Sequence, residues 1–165
     1  MHIHEKILAL LDTRGAAYRV VEHAAEGRSE AIALIRGNRP EQSLKAIVTL
    51  LKRDKKHYDY CLAVLPGDRR IDLAALADFT QVKKAVFAPR EKAMAVTGCE
   101  IGAIPPFSFD ETLRVVADPA IRQNEEVVFN AGLLTKSIFM SCADYIEIAC
   151  PAFAPIACAA DRAEE

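Results

Sequence analysis

The sequence predicts a single α+β domain in which a mixed, barrel-like β-sheet is flanked by helices. Three observations point there. Apolar residues at helical spacing alternate along the chain with short runs rich in Val, Ile, Leu and Phe. The run Ser43–Leu51 is apolar at almost every position, as expected of a strand covered on both faces. No linker, repeat or low-complexity stretch divides the 165 residues, enough for one core burying about 70% of the unfolded surface.

Ile3, Ile7, Leu8, Leu10 and Leu11 define an opening helix, with Gly15 as its stop. Tyr18–His23 is a short strand. Ser29 is a candidate N-cap for a second helix through Ile32, Leu34 and Ile35, which ends at Gly37 and Pro40. The Ser43–Leu51 strand and an apolar strand over Tyr58–Leu65 are joined by a charged turn, predicting an antiparallel hairpin. Pro66-Gly67-Asp68-Arg69-Arg70 is a turn, and Asp72 caps a helix carrying Leu73, Leu76 and Phe79. Lys83–Phe87 is a strand, and Pro89 opens a helix reaching Gly98. An apolar loop with two glycines and two prolines occupies Gly98–Phe109. Short strands are expected near 113–117, 125–130 and 136–140, then a last helix with Ser141 as N-cap. The domain is drawn over residues 1–150, and residues 151–165, rich in Ala, are expected to be a loosely ordered tail.

Composition narrows the function classes. An apolar content of 52% excludes a disordered or fibrous chain. No window approaches the ~18 consecutive apolar residues of a membrane span, and the N-terminus lacks the basic start and apolar stretch of a signal peptide. A cytoplasmic protein with no membrane partner is expected. Five cysteines, odd in number and without CxxC spacing, argue against a disulfide framework or structural zinc. His2 and His4 lack nearby partners for a metal site. GxSxG, HExxH and phosphate-loop signatures are absent. No metal and no cofactor is expected. A net charge of −2 means that nucleic acid would be met by local patches. The candidate run is Lys52, Arg53, Lys55 and Lys56, which is either a solvated hairpin turn or an RNA contact.

Two features carry chemistry. Lys45 is a lone charge in the apolar strand and shares a face with Ile47, Thr49 and Leu51. Its ammonium either snorkels to solvent or lines a pocket where a ligand meets it. The segment Gly102-Ala103-Ile104-Pro105-Pro106-Phe107 is either a rigid loop over the core or a donor loop. In the second reading its glycine permits close backbone approach, its N–H groups stabilise an oxyanion, and its prolines limit reorganisation.

These residues resemble the YbaK/prolyl-tRNA synthetase-associated family of aminoacyl-tRNA deacylases, from about Tyr18 to Ile148. The match comprises the Ser29-Glu30-Ala31 helix opening, the Lys45 strand, Leu62–Leu73, the Gly102–Phe107 loop and Val128-Phe129-Asn130-Ala131-Gly132. The resemblance implies metal-independent hydrolysis, in trans, of the ester joining a wrong amino acid to tRNA, with mischarged tRNA and an aminoacyl-tRNA synthetase as partners and no role for DNA. It also implies that Lys45, Gly102 and Pro106 are catalytic, the last two in a Gly-x-x-x-Pro loop, and that Asp68, Asn130, Ala46, Ile104 and Pro105 bind substrate. Ala46 stands where some alanine-specific members have asparagine. Arg36-Gly37-Asn38 and Lys45-Ala46 are similar to a branch acting on Ser- and Thr-tRNA, while alanine or cysteine on proline tRNA stays open. Binding separates near-isosteric side chains by only ~1–3 kcal/mol, so editing needs a second pocket of different shape. The reading from a different class is a non-catalytic tRNA- or synthetase-binding module on the same fold.

Overall fold

The opening apolar periodicity becomes helix α1 (Ile3–Thr13) in the computed structural model, which describes residues 2–160. His2 and Glu5 form a capping box, and Ile7 and Leu11 are fully buried on the inner face. Strand β1 (Tyr18–Glu22) and helix α2 (Ser29–Arg36) follow. Ser29 does not cap α2. Arg28 holds the N-cap position without a side-chain bond, and the turn before it is held by Glu26, whose carboxylate accepts from the Gly27 and Arg28 N–H groups. The helix ends at Gly37 in the left-handed region, φ 75°.

Strands β2 (Leu44–Lys52) and β3 (Tyr58–Pro66) form the expected antiparallel hairpin, with Lys45 opposite Leu65 and Lys52 opposite Tyr58. Then come β4 (Arg69–Ile71), α3 (Leu73–Thr80), β5 (Lys84–Phe87) and α4 (Arg90–Thr97). Asp72 caps α3 by accepting the Ala75 N–H at 3.0 Å. After the long loop come β6 (Leu113–Ala117), β7 (Glu126–Leu133), β8 (Lys136–Ser141) and α5 (Cys142–Ala149), the last capped by Ser141. Two short strands close the described chain, β9 (Ala152–Phe153) and β10 (Ala157–Ala159).

The strands do not close into a barrel. They divide into a mixed five-stranded sheet, β5-β2-β3-β6-β9, an antiparallel sheet, β1-β8-β7, and the pair β10-β4. A parallel bridge between Ser43 and Val128 joins the start of β2 to β7. Both faces of β2 are covered, as its sequence demanded. Leu44 and Val48 pack into the main core with Phe129 and Tyr145, while Leu51 packs with Leu73 and Leu76 of α3. Each such fully buried side chain stabilises the fold by about 1.5–3 kcal/mol. Thr49, the polar member of the run, donates to the Cys61 carbonyl at 2.9 Å.

The tail is a correction. Residues 151–160 are not loose: β9 runs parallel to β6 and β10 antiparallel to β4. Buried Asp118 explains the docking, because its carboxylate accepts from the Ile156 and Ala157 N–H groups at 2.9 and 2.8 Å. Ile156 is fully buried beside them. Residues 161–165 lie outside the described residues. Among the described residues, no helix is long and apolar enough to cross a membrane.

Candidate active site

The first residues of β2 build one wall of a small pocket. Ser43, Leu44, Lys45 and Ala46 face Gly27, Arg36, Gly102, Ile104 and Asn130 around a volume of about 50 Å³. Gly27, Ser29 and Lys45 also line a wider neighbouring cleft of about 790 Å³, together with Arg28, Glu30, Asp68, Arg69 and Arg70. Cationic side chains outnumber carboxylates four to two in that cleft. Lys45 is half-buried at the boundary of the two spaces.

The long loop enters the pocket at Gly102, whose φ of +92° only glycine adopts easily. A β-carbon here would lie 2.8 Å from Gly27 Cα and 3.1 Å from the Gly27 carbonyl oxygen. Two backbones therefore meet at a pair of glycines. Asn130 ties them together: its Nδ2 donates to the Gly102 carbonyl at 2.7 Å and to the Glu26 carbonyl at 3.0 Å. Among the described residues, the Gly102 and Ile104 N–H groups donate to no protein acceptor. They are left over as donors in a fixed loop. Below it, Tyr145 donates to the Pro106 carbonyl at 2.7 Å, and its ring packs 5.2 Å from that of Phe107. Full burial pushes the Tyr145 phenol far up, so it remains a neutral donor.

Arg36 forms the polar back of the pocket. Its Nε donates to Asn38 Oδ1 at 3.1 Å, Nη1 to Asn130 Oδ1 and Ser137 Oγ at 3.3 and 3.0 Å, and Nη2 to Ser43 Oγ at 2.9 Å. Ser137 also donates to Asn130 Oδ1 at 3.0 Å, fixing the orientation of that amide. His23 Nε2 lies 2.7 Å from Ser137 Oγ. Burial lowers the Arg36 pKa to about 10, which leaves it charged at neutral pH.

A sheltered lysine, unused backbone donors and a basic cleft beside them make a site for a small group attached to a large anion. The family description "aminoacyl-tRNA editing domain" matches residues 23–148. The multifunctional Ser/Thr-tRNA deacylase ProXp-y of Escherichia coli strain K12 is 42% identical over 149 residues, covering 90% of this chain and 89% of the relative. This chain belongs to the aminoacyl-tRNA editing domain family. The ProXp-y of Escherichia coli O157:H7 matches equally well. Among solved structures, a candidate trans-editing enzyme for prolyl tRNA synthetase has a TM-score of 0.79 at 21% identity, covering 93% of this chain and 95% of that one. A hypothetical protein reaches 0.83 at 18% identity, covering 92% and 99%. At those identities the two structures show the fold alone.

Within this editing domain, Lys45, Ala46, Gly102, Ile104 and Asn130 come together at the inner pocket. Asp68 sits outside it, exposed in the wider cleft. Pro106 is buried beneath the loop as the Tyr145 anchor. Pro105 does not line the pocket; it faces a separate depression beside Ile3 and Lys6. Lys52 lies seven residues beyond Lys45, about 23 Å along an extended strand. Arg53, Lys55 and Lys56 follow in the exposed turn, where Arg53 pairs with Asp59 at 3.4 Å. Gly27, Ser43 and Ser137 were missed by sequence reasoning. For Gly27 a signal existed in the turn-forming Glu26-Gly27-Arg28; single serines at strand starts carry none. Among the described residues, no three His, Cys, Asp or Glu side chains cluster as metal ligands.

Proposed function

We propose that this protein is a cytoplasmic trans-editing deacylase, releasing small wrongly attached amino acids, of the Ser/Thr or Ala/Cys type, from mischarged tRNA. An aminoacyl-tRNA synthetase whose errors it corrects is its protein partner. The observation that carries this reading is the convergence of Lys45 and the Gly102 loop on one pocket that opens into a basic cleft. The name of the Escherichia coli relative supports the Ser/Thr choice.

In this reading the amino-acid side chain enters the inner pocket and the terminal ribose and phosphate lie in the cleft. Lys45 orients the ester or the adjoining phosphate. A water, activated by the vicinal ribose hydroxyl or by the protein, attacks the ester carbonyl carbon. The oxyanion is stabilised by the Gly102 and Ile104 N–H groups. The carbon–oxygen bond to the ribose then breaks, the ribose oxygen takes a proton, and free amino acid and tRNA leave. Pro106 contributes by holding the loop through Tyr145, and Asn130 by clamping the Gly27 and Gly102 backbones. Asp68 and Arg69 contact the tRNA end from the cleft rim.

The test is a panel of tRNAs charged with radiolabelled serine, threonine, alanine or cysteine, incubated with and without protein and with EDTA. Release above buffer that persists in EDTA is the expected result. tRNA binding without release of any amino acid would replace this reading with the binding module.

A further inference from the structure

The hydrogens around Arg36 leave the Arg36–Ser43 end of the inner pocket with donors and with its own side-chain oxygens already engaged, while the Ser29 hydroxyl lines another part of the pocket. A guanidinium carries five N–H groups, and four of them go to the neutral oxygens of Asn38, Asn130, Ser137 and Ser43. Among the described residues no carboxylate pairs with it. One Nη2 hydrogen remains, next to Ser43. Ser43 Oγ accepts from Arg36 Nη2 and from Asn38 Nδ2, both at 2.9 Å, so both of its lone pairs are taken. Its own hydrogen is then available only for donation, and no described protein group accepts it. Asn130 Oδ1 is equally full, accepting from Arg36 and Ser137.

We infer that Arg36 and Ser43 are specificity-determining residues that recognise one oxygen acceptor on the substrate side chain, the hydroxyl of a seryl or threonyl group. The inference rests on the deacylase reading and names what its inner pocket selects. A volume of about 50 Å³ is a few times the roughly 10–15 Å³ that one water needs, the scale of a hydroxymethyl or hydroxyethyl group. An alanyl group fills less of the space and leaves both donors unmet, while a thiol accepts weakly. A site whose buried polar groups are paired by the right substrate rejects the analogue that cannot pair them. The Arg36 charge strengthens that discrimination, because a hydrogen bond from a charged donor outweighs one between neutral groups.

The experiment charges one tRNA with either serine or alanine and measures single-turnover release of each by the full-length protein. The readout is the Ser-to-Ala rate ratio. Ser43→Ala should lower that ratio on the order of 10-fold and Arg36→Met on the order of 100-fold, the scales of a neutral and a charge-assisted hydrogen bond. A purely structural role slows both releases together, and an unchanged ratio in Ser43→Ala overturns the inference while leaving the deacylase reading intact. No release of either amino acid by the wild type overturns both. Should Arg36→Met fail to fold, the Ser43→Ala ratio still decides.

Discussion

The inner pocket and the outer cleft share Lys45 yet are built on opposite principles. The pocket is small, and its polar atoms are wired to one another: Arg36, Asn130, Ser137 and Ser43 form one hydrogen-bonded group. The cleft is wide, with exposed Arg28, Asp68 and Arg70 at its rim. Preorganised donors discriminate between small groups because a mismatch leaves them unsatisfied. Exposed charges attract a polyanion, are screened by salt and discriminate little. In the proposed deacylase reading, choosing the amino acid is thus separated from holding the tRNA, and changes on the two sides should have different signatures.

Lys45 belongs to both regions, so its loss should cost most. Lys45→Ala is expected to depress single-turnover deacylation by about two orders of magnitude, the scale of one electrostatic contact in a preorganised site. Lys45→Arg should fail as well, since a planar fork does not replace a compact ammonium in a small pocket. Near-normal hydrolysis by Lys45→Ala would remove the residue from the mechanism.

Gly102→Ala comes next and should injure stability and rate together. Its β-carbon would meet the Gly27 backbone at 2.8 Å, and the left-handed conformation adds about 1–2 kcal/mol of strain. A melting temperature lowered by several degrees and a kcat reduced on the order of 10-fold are expected, the latter from displaced oxyanion donors. An unaltered melting curve would mean that the two loops are not in contact.

The cleft should respond in KM and in salt dependence. Arg69→Gln is expected to raise KM for tRNA with little change in kcat, and to reduce the salt slope by about one unit for a lost phosphate contact. Neutralising Lys52, Arg53, Lys55 and Lys56 together should act the same way if the acceptor stem reaches the hairpin. Thermal stability should stay level, because exposed charges contribute little to it. A wild-type salt slope in the quadruple variant would reduce that run to a solvated turn.

The smallest effect concerns the Gly27 turn. Hydrogen bonds from the Arg28 side chain and backbone hold the Glu26 carboxyl down to about 2, from an ordinary 4.5. A depressed carboxyl stabilises the fold fully above its unfolded value and loses that contribution as pH falls through the folded one. The stability gap between wild type and Glu26→Gln should therefore be constant above about pH 5 and close toward pH 2. A gap independent of pH would show that the ionised carboxylate does not hold this turn.

Local rules made most of the fold legible. Asp72 and Ser141 were identifiable as helix caps because a cap is decided within three residues. The β2–β3 hairpin followed from two apolar runs and a charged turn. The tail was misjudged because its alanines carry little signal, whereas its order comes from Asp118, 38 residues upstream of Ile156. Of the site, Lys45 stood out as a charge among apolar neighbours, and Gly102 as a glycine in a loop stiffened by Pro105 and Pro106. Pro105 shared that local pattern and still faces away, because loop direction depends on what the loop packs against.

The sequence alone determined the five α-helices and the longer strands of the described residues, which faces are apolar, and that a lysine and a glycine–proline loop would need an explanation. Those properties depend on periodicity and on hydrogen bonds between near neighbours. Only the tertiary structure decided that Arg36 would meet Asn130 and Ser137, 94 and 101 residues away, and that Gly27 would meet Gly102. Such meetings depend on how sheets and loops close on one another, and no local pattern records which distant backbone will arrive. The donors in the inner pocket are fixed because distant Asn130 and Ser137 join nearby Asn38 and Ser43 in accepting four of the five Arg36 N–H groups, while Arg36 and Asn38 donate to both Ser43 lone pairs.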